Sequence, residues 1–175
     1  EKDTKWTGVH HDWLARQHLE PETSQQALTA ELETEALLAA HVKRLDGMIT
    51  GLAAECDQTA VIDALMCFRG ISVTTAFGLA VEIGDWTRFT GATIGAYLGL
   101  IPSEHSSGQS RSQGAITKAG NTYARKLLVE AAWTHDRPYK RPGARLLRQF
   151  DRVDPATRMR AMEGNQRLHR VWERF

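Results

Sequence analysis

The residues best suited to chemistry lie between Ser106 and Asn121, where serines, glycines and cations alternate. Ser106 and Ser107 offer adjacent hydroxyls, and Arg111 and Lys118 bring positive charge into the same segment. Glycine allows a backbone to approach a ligand closely, and backbone N–H groups with nearby cations form a site for phosphate oxygens. A serine hydroxyl in such a site either binds a phosphate or attacks it. The same composition is also typical of a flexible connector, so both interpretations stand on composition alone.

Helices must position this segment, because apolar residues recur at helical spacing and no strand pattern of period two persists. Asn121 is predicted to cap a helix whose early turns carry Arg125 and Lys126. Asp154 and Pro155 predict the start of a last, basic helix. The sequence therefore predicts an all-α fold.

A long segment without proline, from residue 24 to about residue 56, contains a heptad pattern. Apolar residues alternate at spacings of four and three, which predicts the seam of a coiled coil; they are Leu38, Val42, Leu45, Ile49 and Leu52. Because the seam spans only about two heptads, an antiparallel hairpin within the chain is the competing interpretation. The coiled coil implies a homo-oligomer formed through residues 38–52.

A compact unit is predicted to follow, with two helices joined by a turn at Gly70 and Ser72. This order is similar to a helix-hairpin-helix motif, in which backbone N–H groups of the hairpin hold a DNA phosphate. Gly70 and Ser72 are therefore candidate DNA-binding residues. Ser72 stands where the motif usually has its second glycine, and a plain pair of helices is the alternative.

Charge is segregated along the 175 residues although the net charge is only +1. Residues 1–60 carry a net charge of −6, and residues 137–175 carry +7. A basic segment indicates a nucleic-acid partner, with a solvated basic helix as the alternative; its candidate DNA-binding residues are Arg158, Arg160 and Arg167. The scattered aromatic residues Trp133, Tyr139 and Trp172 are candidates for base stacking, although core packing is the better interpretation of Trp133.

Several classes of function are disfavoured by the sequence. The two cysteines, Cys56 and Cys67, lack the spacing of a zinc site, and no other metal-ligand cluster is evident. No run of 18 apolar residues indicates a membrane span, and no signal peptide is recognisable. We therefore expect a cytoplasmic protein with reduced cysteines.

Short motifs in one order, dense over residues 60–135, closely resemble the C-terminal domain of insertion-sequence-110-type transposases. The motifs that carry the resemblance are FRGIS (68–72), EIGD (82–85), AYLGLIP (96–102), SG (107–108), GAITKAGN (114–121) and RKLLVEAA (125–132). Members of this family combine an N-terminal RuvC-like domain, which supplies an acidic site for a divalent metal such as Mg²⁺, with a C-terminal serine nucleophile. A coiled coil between them helps to assemble the oligomer, and a structured guide RNA directs the choice of target.

The resemblance implies that this chain is the C-terminal portion of such a transposase. No strand-rich acidic constellation precedes the predicted coiled coil, and the chain begins at Glu1 without an initiator methionine. We expect a helical arm at 1–57, a compact domain with the serine loop at 58–136 and a basic extension at 137–175. Without the RuvC-like domain, the fragment alone is expected to bind DNA but to cut little or none.

Carried over by motif, the family's nucleophile falls on Ser107, with Ser106 as the alternative. Arg111 is expected to stabilise charge at the reacting phosphate; the residues expected to hold DNA phosphates are Lys118, Asn121, Arg125 and Lys126. His105 is a weak candidate for the general base. The predicted function is DNA strand cleavage and rejoining by a transposase, and the alternative is a non-catalytic module for nucleic-acid binding and oligomerisation.

Overall fold

The structure is a computed structural model that describes residues 7–107, 110 and 112–174. Within these residues the secondary structure comprises eight α-helices, two 3₁₀ turns and one short β-hairpin. In chain order the elements are α1 (Gly8–Leu14), α2 (Glu22–Glu55), α3 (Thr59–Met66), α4 (Val73–Ile83), α5 (Ile94–Tyr97), β1 (Pro102–Glu104), β2 (Gln113–Ile116), α6 (Thr122–Ala132), α7 (Ala144–Phe150) and α8 (Pro155–Trp172). The mostly helical fold confirms the prediction, and the hairpin is the exception to it. None of the described helices is both long and apolar enough to cross a membrane.

The chain divides into two compact units, one extending to Met48 and the other beginning at Ile49. The helical domain boundaries expected at 57/58 and 136/137 stay predictions. In the first unit, α1 lies against the first half of α2, where His11 Nδ1 is 3.7 Å from Glu35 Oε2. Leu14 of α1 also lines a shallow groove together with Leu28 of α2.

Four of the five residues of the predicted heptad seam are exposed, and the fifth, Ile49, is half-buried. Leu38, Val42, Leu45 and Leu52 each expose between 42% and 60% of their surface. A coiled-coil partner for the seam stays a prediction.

The core of the second unit forms where α3, α4 and α6 pack together. Ile62 of α3, Leu79 of α4 and Ala124 of α6 are all buried in it. A Cβ atom at Gly78 would lie 2.9 Å from Leu127 Cδ1, so the absence of a side chain at Gly78 allows α4 to approach α6. This packing fixes the beginning of α6, which follows the candidate site.

A second core cluster attaches α7 and α8 to α3. Cys67, Phe150 and Ala161 are buried in this cluster. Asn165 of α8 is fully buried; its Oδ1 accepts from the Arg69 N–H at 2.9 Å, and its Nδ2 donates to the Cys67 carbonyl at 3.0 Å. A single amide side chain thus joins the basic helix to the end of α3.

Candidate functional site

The serine segment forms the tip of a β-hairpin. Strands β1 and β2 pair antiparallel, and beyond them the His105 N–H donates to the Ser112 carbonyl at 2.9 Å. Ser107 and Ser110 then exchange two backbone hydrogen bonds of 3.1 Å. These contacts give the described part of the tip a defined geometry, unlike a flexible connector. The strands escaped prediction because they have only three and four residues and nearly all their side chains are exposed, which leaves no apolar alternation.

The two candidate serines have different environments. Ser106 Oγ donates to Glu104 Oε1 at 2.7 Å and accepts the Ser112 N–H at 3.3 Å. The Ser107 side chain is exposed, and within the described part of the chain its hydroxyl has no hydrogen-bond partner. Glu104 was missed by the sequence analysis. The position of Glu104 two residues before Ser106 could have identified it, because residues i and i+2 of an extended chain lie on the same face.

The structure gives less evidence on the roles of two further candidates, Arg111 and His105. Arg111, expected to stabilise charge, lies outside the described residues, so its role stays a prediction. His105 is exposed, and its backbone N–H is used in the hairpin.

Backbone N–H groups that were expected to cradle a phosphate are bonded within the protein. The N–H groups of Thr117, Lys118 and Asn121 donate to carbonyls of residues 97–101 at 2.9–3.2 Å. Residues 117–121 therefore form a second seam, made of backbone hydrogen bonds to residues 97–101. The three N–H donors are not available to a ligand. The exposed side chain of Lys118 is a cation at this seam, on a backbone with a φ of 55°.

The glycines of this seam serve close backbone packing. Gly99 has a φ of +65°, and a Cβ atom there would lie 2.8 Å from the Ala119 nitrogen. Gly120 has a φ of +143°, and a Cβ atom there would overlap the Tyr97 carbonyl oxygen. Both positions require a residue without a side chain for a reason other than ligand approach.

Asn121 and Arg125 are also engaged inside the unit. Asn121 Oδ1 accepts from the Ala124 N–H at 2.8 Å, which confirms the predicted helix cap, and its Nδ2 donates to Glu82 Oε2 at 2.6 Å. Arg125 Nη1 donates to the Leu98 carbonyl at 2.8 Å. Lys126, by contrast, is exposed. Contacts of Asn121, Arg125 and Lys126 with DNA stay predictions, and Lys126 is the most accessible of the three.

The turn between α3 and α4 shows local roles for Gly70 and Ser72. Gly70 has a φ of +81°, and a Cβ atom there would overlap the Ala131 carbonyl oxygen of α6. Ser72 caps α4 by accepting from the Thr75 N–H at 3.2 Å. A helix-hairpin-helix phosphate clamp at this turn is not confirmed.

A stripe of arginines runs along one face of α8. Arg160, Arg167 and Arg170 are all exposed, and at 100° per residue they fall within about 80° of one another, with Glu163 on the same face. At 1.5 Å per residue the stripe is about 15 Å long. We call these three arginines the arginine stripe. Arg160 and Arg167 were predicted DNA-binding residues, and the periodicity of the helix identifies Arg170.

The remaining predicted residues of this region lie elsewhere. Arg158 is on the opposite face of α8, where its guanidinium carbon lies 5.6 Å from the centroid of the Phe150 ring. Trp133 exposes 60% of its surface, which contradicts its assignment to the core. Its ring meets that of Trp172 edge-on, with centroids 5.3 Å apart.

No group of three or more His, Cys, Asp or Glu side chains in residues 7–107, 110 and 112–174 is arranged to hold a metal ion. The described residues therefore offer no ligand set for the divalent metal that the resemblance implies. No step involving a metal is derived for them.

Comparisons with known proteins agree on one family. Residues 62–146 match the family described as Transposase IS116/IS110/IS902. The protein y4qE of Sinorhizobium fredii, which bears the name of a transposase, is 35% identical over 164 residues, or 93% of this chain and 38% of that protein. A family 20 transposase of Pseudomonas aeruginosa is 38% identical over 60% of this chain and 30% of that protein. The transposase of insertion sequence element IS1533 from Leptospira borgpetersenii is 24% identical over 76% of this chain and 39% of that protein. The chain thus spans less than two fifths of each relative's length.

Proposed function

Because this chain belongs to the IS116/IS110/IS902 family of transposases, we propose that it binds DNA and supplies a serine nucleophile for strand cleavage and rejoining. One observation carries the proposal. Ser107 lies at the tip of a hydrogen-bonded hairpin, with its backbone held on both sides by Ser110 and its side chain exposed. A DNA strand can therefore reach the hydroxyl without any rearrangement of the core.

In the proposed reaction, Ser107 Oγ attacks the phosphorus of a DNA phosphodiester. A bond forms between Oγ and phosphorus, the bond to the 3′ oxygen breaks, the serine proton passes to a base and the leaving 3′ oxygen takes up a proton. The strand end is then held on the serine as a 5′ phosphodiester, so bond energy is conserved and a 3′ hydroxyl can later displace the serine. Arg111 is the cation proposed to stabilise the charge that develops on the phosphate. Lys118 lies at the base of the hairpin, away from Ser107, and is proposed to hold another phosphate of the DNA.

DNA is proposed to lie along exposed cations. The arginine stripe on α8 places three cations along about 15 Å, enough to follow several phosphates of one strand. Lys118 and Lys126 supply further exposed charge. Such contacts give affinity that falls steeply with salt and carries little sequence information. A structured guide RNA presents the same phosphate chemistry, and we propose it as a second nucleic-acid partner.

The remaining parts of the activity are assigned by the same proposal. The exposed apolar side chains of 38–52 are proposed to pair with a second copy of the chain. We propose that the chain works in the bacterial cytoplasm as part of a longer transposase, in which a RuvC-like domain supplies the Mg²⁺ site. A non-catalytic module is the second candidate, because the exposed seam and the arginine stripe need no nucleophile.

A strand-cleavage assay distinguishes the two candidates. In the longer transposase to which we assign the chain, Ser107→Ala is expected to abolish cleavage of labelled DNA without changing DNA affinity. Ser103→Ala removes a hydroxyl from the neighbouring strand β1 and serves as the matched control, with cleavage close to wild type. Unchanged cleavage in Ser107→Ala would favour the non-catalytic module for this chain.

A further inference from the structure

We propose that Glu104 and Ser106 form a latch that positions Ser107, and that Ser106 is therefore a positioning residue rather than the nucleophile. The inference rests on the proposed function, because it assigns a task to each of the two serines in that reaction. It comes from the hydrogen bonds of the hairpin tip, in which the two neighbouring hydroxyls have different partners.

The hairpin needs support near its tip. Strands β1 and β2 are short, and their pairing shifts in register between Pro102 and Glu104. Ser106 lies just beyond this irregular part, where its Oγ contacts the Glu104 carboxylate on its own arm of the hairpin and the Ser112 N–H on the opposite arm. The hydroxyl thus ties both strands together one residue before the proposed nucleophile.

The chemistry of these contacts indicates that they fix the position of the Ser106 hydroxyl and do not activate it as a nucleophile. A hydroxyl that donates to a carboxylate at 2.7 Å makes a charge-assisted hydrogen bond, which is stronger than a neutral one. The same oxygen accepts the Ser112 N–H, so a lone pair that would attack phosphorus is directed at the backbone. Carboxylates also have reference pKa values far below that of a hydroxyl, which makes them weak bases for this task.

Ser107 has the complementary arrangement. Both its N–H and its carbonyl are bonded to Ser110, while its side chain is exposed. The latch restrains the backbone that enters Ser107, and the Ser110 pair restrains the backbone that leaves it. Since an in-line attack is sensitive to displacements of about 1 Å, loss of the latch is expected to slow the reaction without weakening DNA binding.

The first test measures the latch in this chain by NMR amide hydrogen exchange. In Ser106→Ala and Glu104→Ala, the amides of Ser107, Ser110 and Ser112 are expected to exchange about fivefold faster, which corresponds to the loss of one net hydrogen bond. Ser106→Thr keeps the hydroxyl and is expected to retain wild-type exchange. Ser103→Ala is the matched control. Wild-type exchange at all three amides in Ser106→Ala would overturn the latch.

The second test measures positioning in the longer transposase, on DNA with a nick that prevents rejoining. Ser106→Ala is expected to form the covalent adduct on Ser107 about tenfold more slowly at unchanged DNA affinity, and Ser106→Thr to restore the rate. An adduct on Ser106, or a wild-type rate in Ser106→Ala, would refute the positioning role. Absence of any adduct in the wild-type protein would instead refute the proposed function, while the exchange data would still decide whether the latch exists.

Discussion

Replacing Asn165 with alanine tests how the basic helix is attached to the domain. Asn165 is fully buried in α8, and its amide bonds the Arg69 N–H and the Cys67 carbonyl. The Cys67 carbonyl lies at the end of α3, where helix carbonyls lack partners within the helix. The variant therefore leaves one donor and one acceptor without their partner.

The size of the effect follows from these two groups. Each buried polar group without a partner costs about 1–3 kcal/mol. Because Arg69 is only half-buried, water can partly replace the lost acceptor, and the lower part of the range applies to it. We expect the free energy of unfolding to fall by about 3 kcal/mol, which lowers the melting temperature by roughly 10 °C for a unit of this size.

Urea unfolding followed by circular dichroism measures this change. Gln166→Ala is the matched control, because Gln166 is the exposed neighbour of Asn165 on the same helix and its loss is expected to cost less than about 0.5 kcal/mol. A decrease of less than about 1 kcal/mol in Asn165→Ala would refute the reasoning. It would mean that the two backbone groups find other partners and that the amide is not the main attachment of α8.

Three further predictions concern charge and titration. Replacing Arg160 and Arg167 together by alanine is expected to reduce the slope of log K against log salt for DNA binding by about 2. Arg158→Ala, on the opposite face of α8, is expected to change this slope little. Equal slopes in the two variants would contradict the proposed contact between the arginine stripe and DNA. Burial, with a smaller contribution from a nearby carboxylate, raises the pKa of the Cys67 thiol to about 11, so iodoacetamide at about pH 8 should label Cys67 only after unfolding. Peptide mass spectrometry separates this label from that on the half-buried Cys56, and rapid labelling of Cys67 in the folded chain would contradict its burial. Burial lowers the pKa of His135 below its ordinary 6.5, so near this pH the unfolded state binds a proton that the folded state does not. The free energy of unfolding should therefore decrease as the pH falls through 6.5. His135→Phe should reduce this decrease in urea titrations, and an unchanged decrease would contradict the assignment to His135.

Features that depend on neighbouring residues could be predicted from the sequence. Asn121 and Asp154 cap their helices as expected, because a short polar side chain just before a helix accepts the N–H groups of the first turn, which have no partner within the helix. The long α2 follows from an uninterrupted run of helix-forming residues. These signals are local, so no knowledge of the tertiary fold is required.

Features that depend on distant residues could not be predicted. Asn165 meets Cys67 across 98 residues of sequence, and nothing near either residue indicates the contact. Gly120 suggested ligand approach, but the structure shows that Gly120 and Gly99 allow two backbone segments to pack together. Glycine composition indicates that something approaches closely, and only the fold shows whether it is a ligand or the chain itself.

The central claim is that Ser107 attacks DNA. The most direct measurement incubates the proposed longer transposase, together with the guide RNA proposed for it, with DNA nicked so that rejoining is prevented. Any protein–DNA adduct is then located by peptide mass spectrometry. The account predicts a 5′-phosphate adduct on Ser107 that is lost in Ser107→Ala. Recombination that proceeds without an adduct on any serine would contradict it and would show that water or a 3′ hydroxyl attacks the phosphate directly.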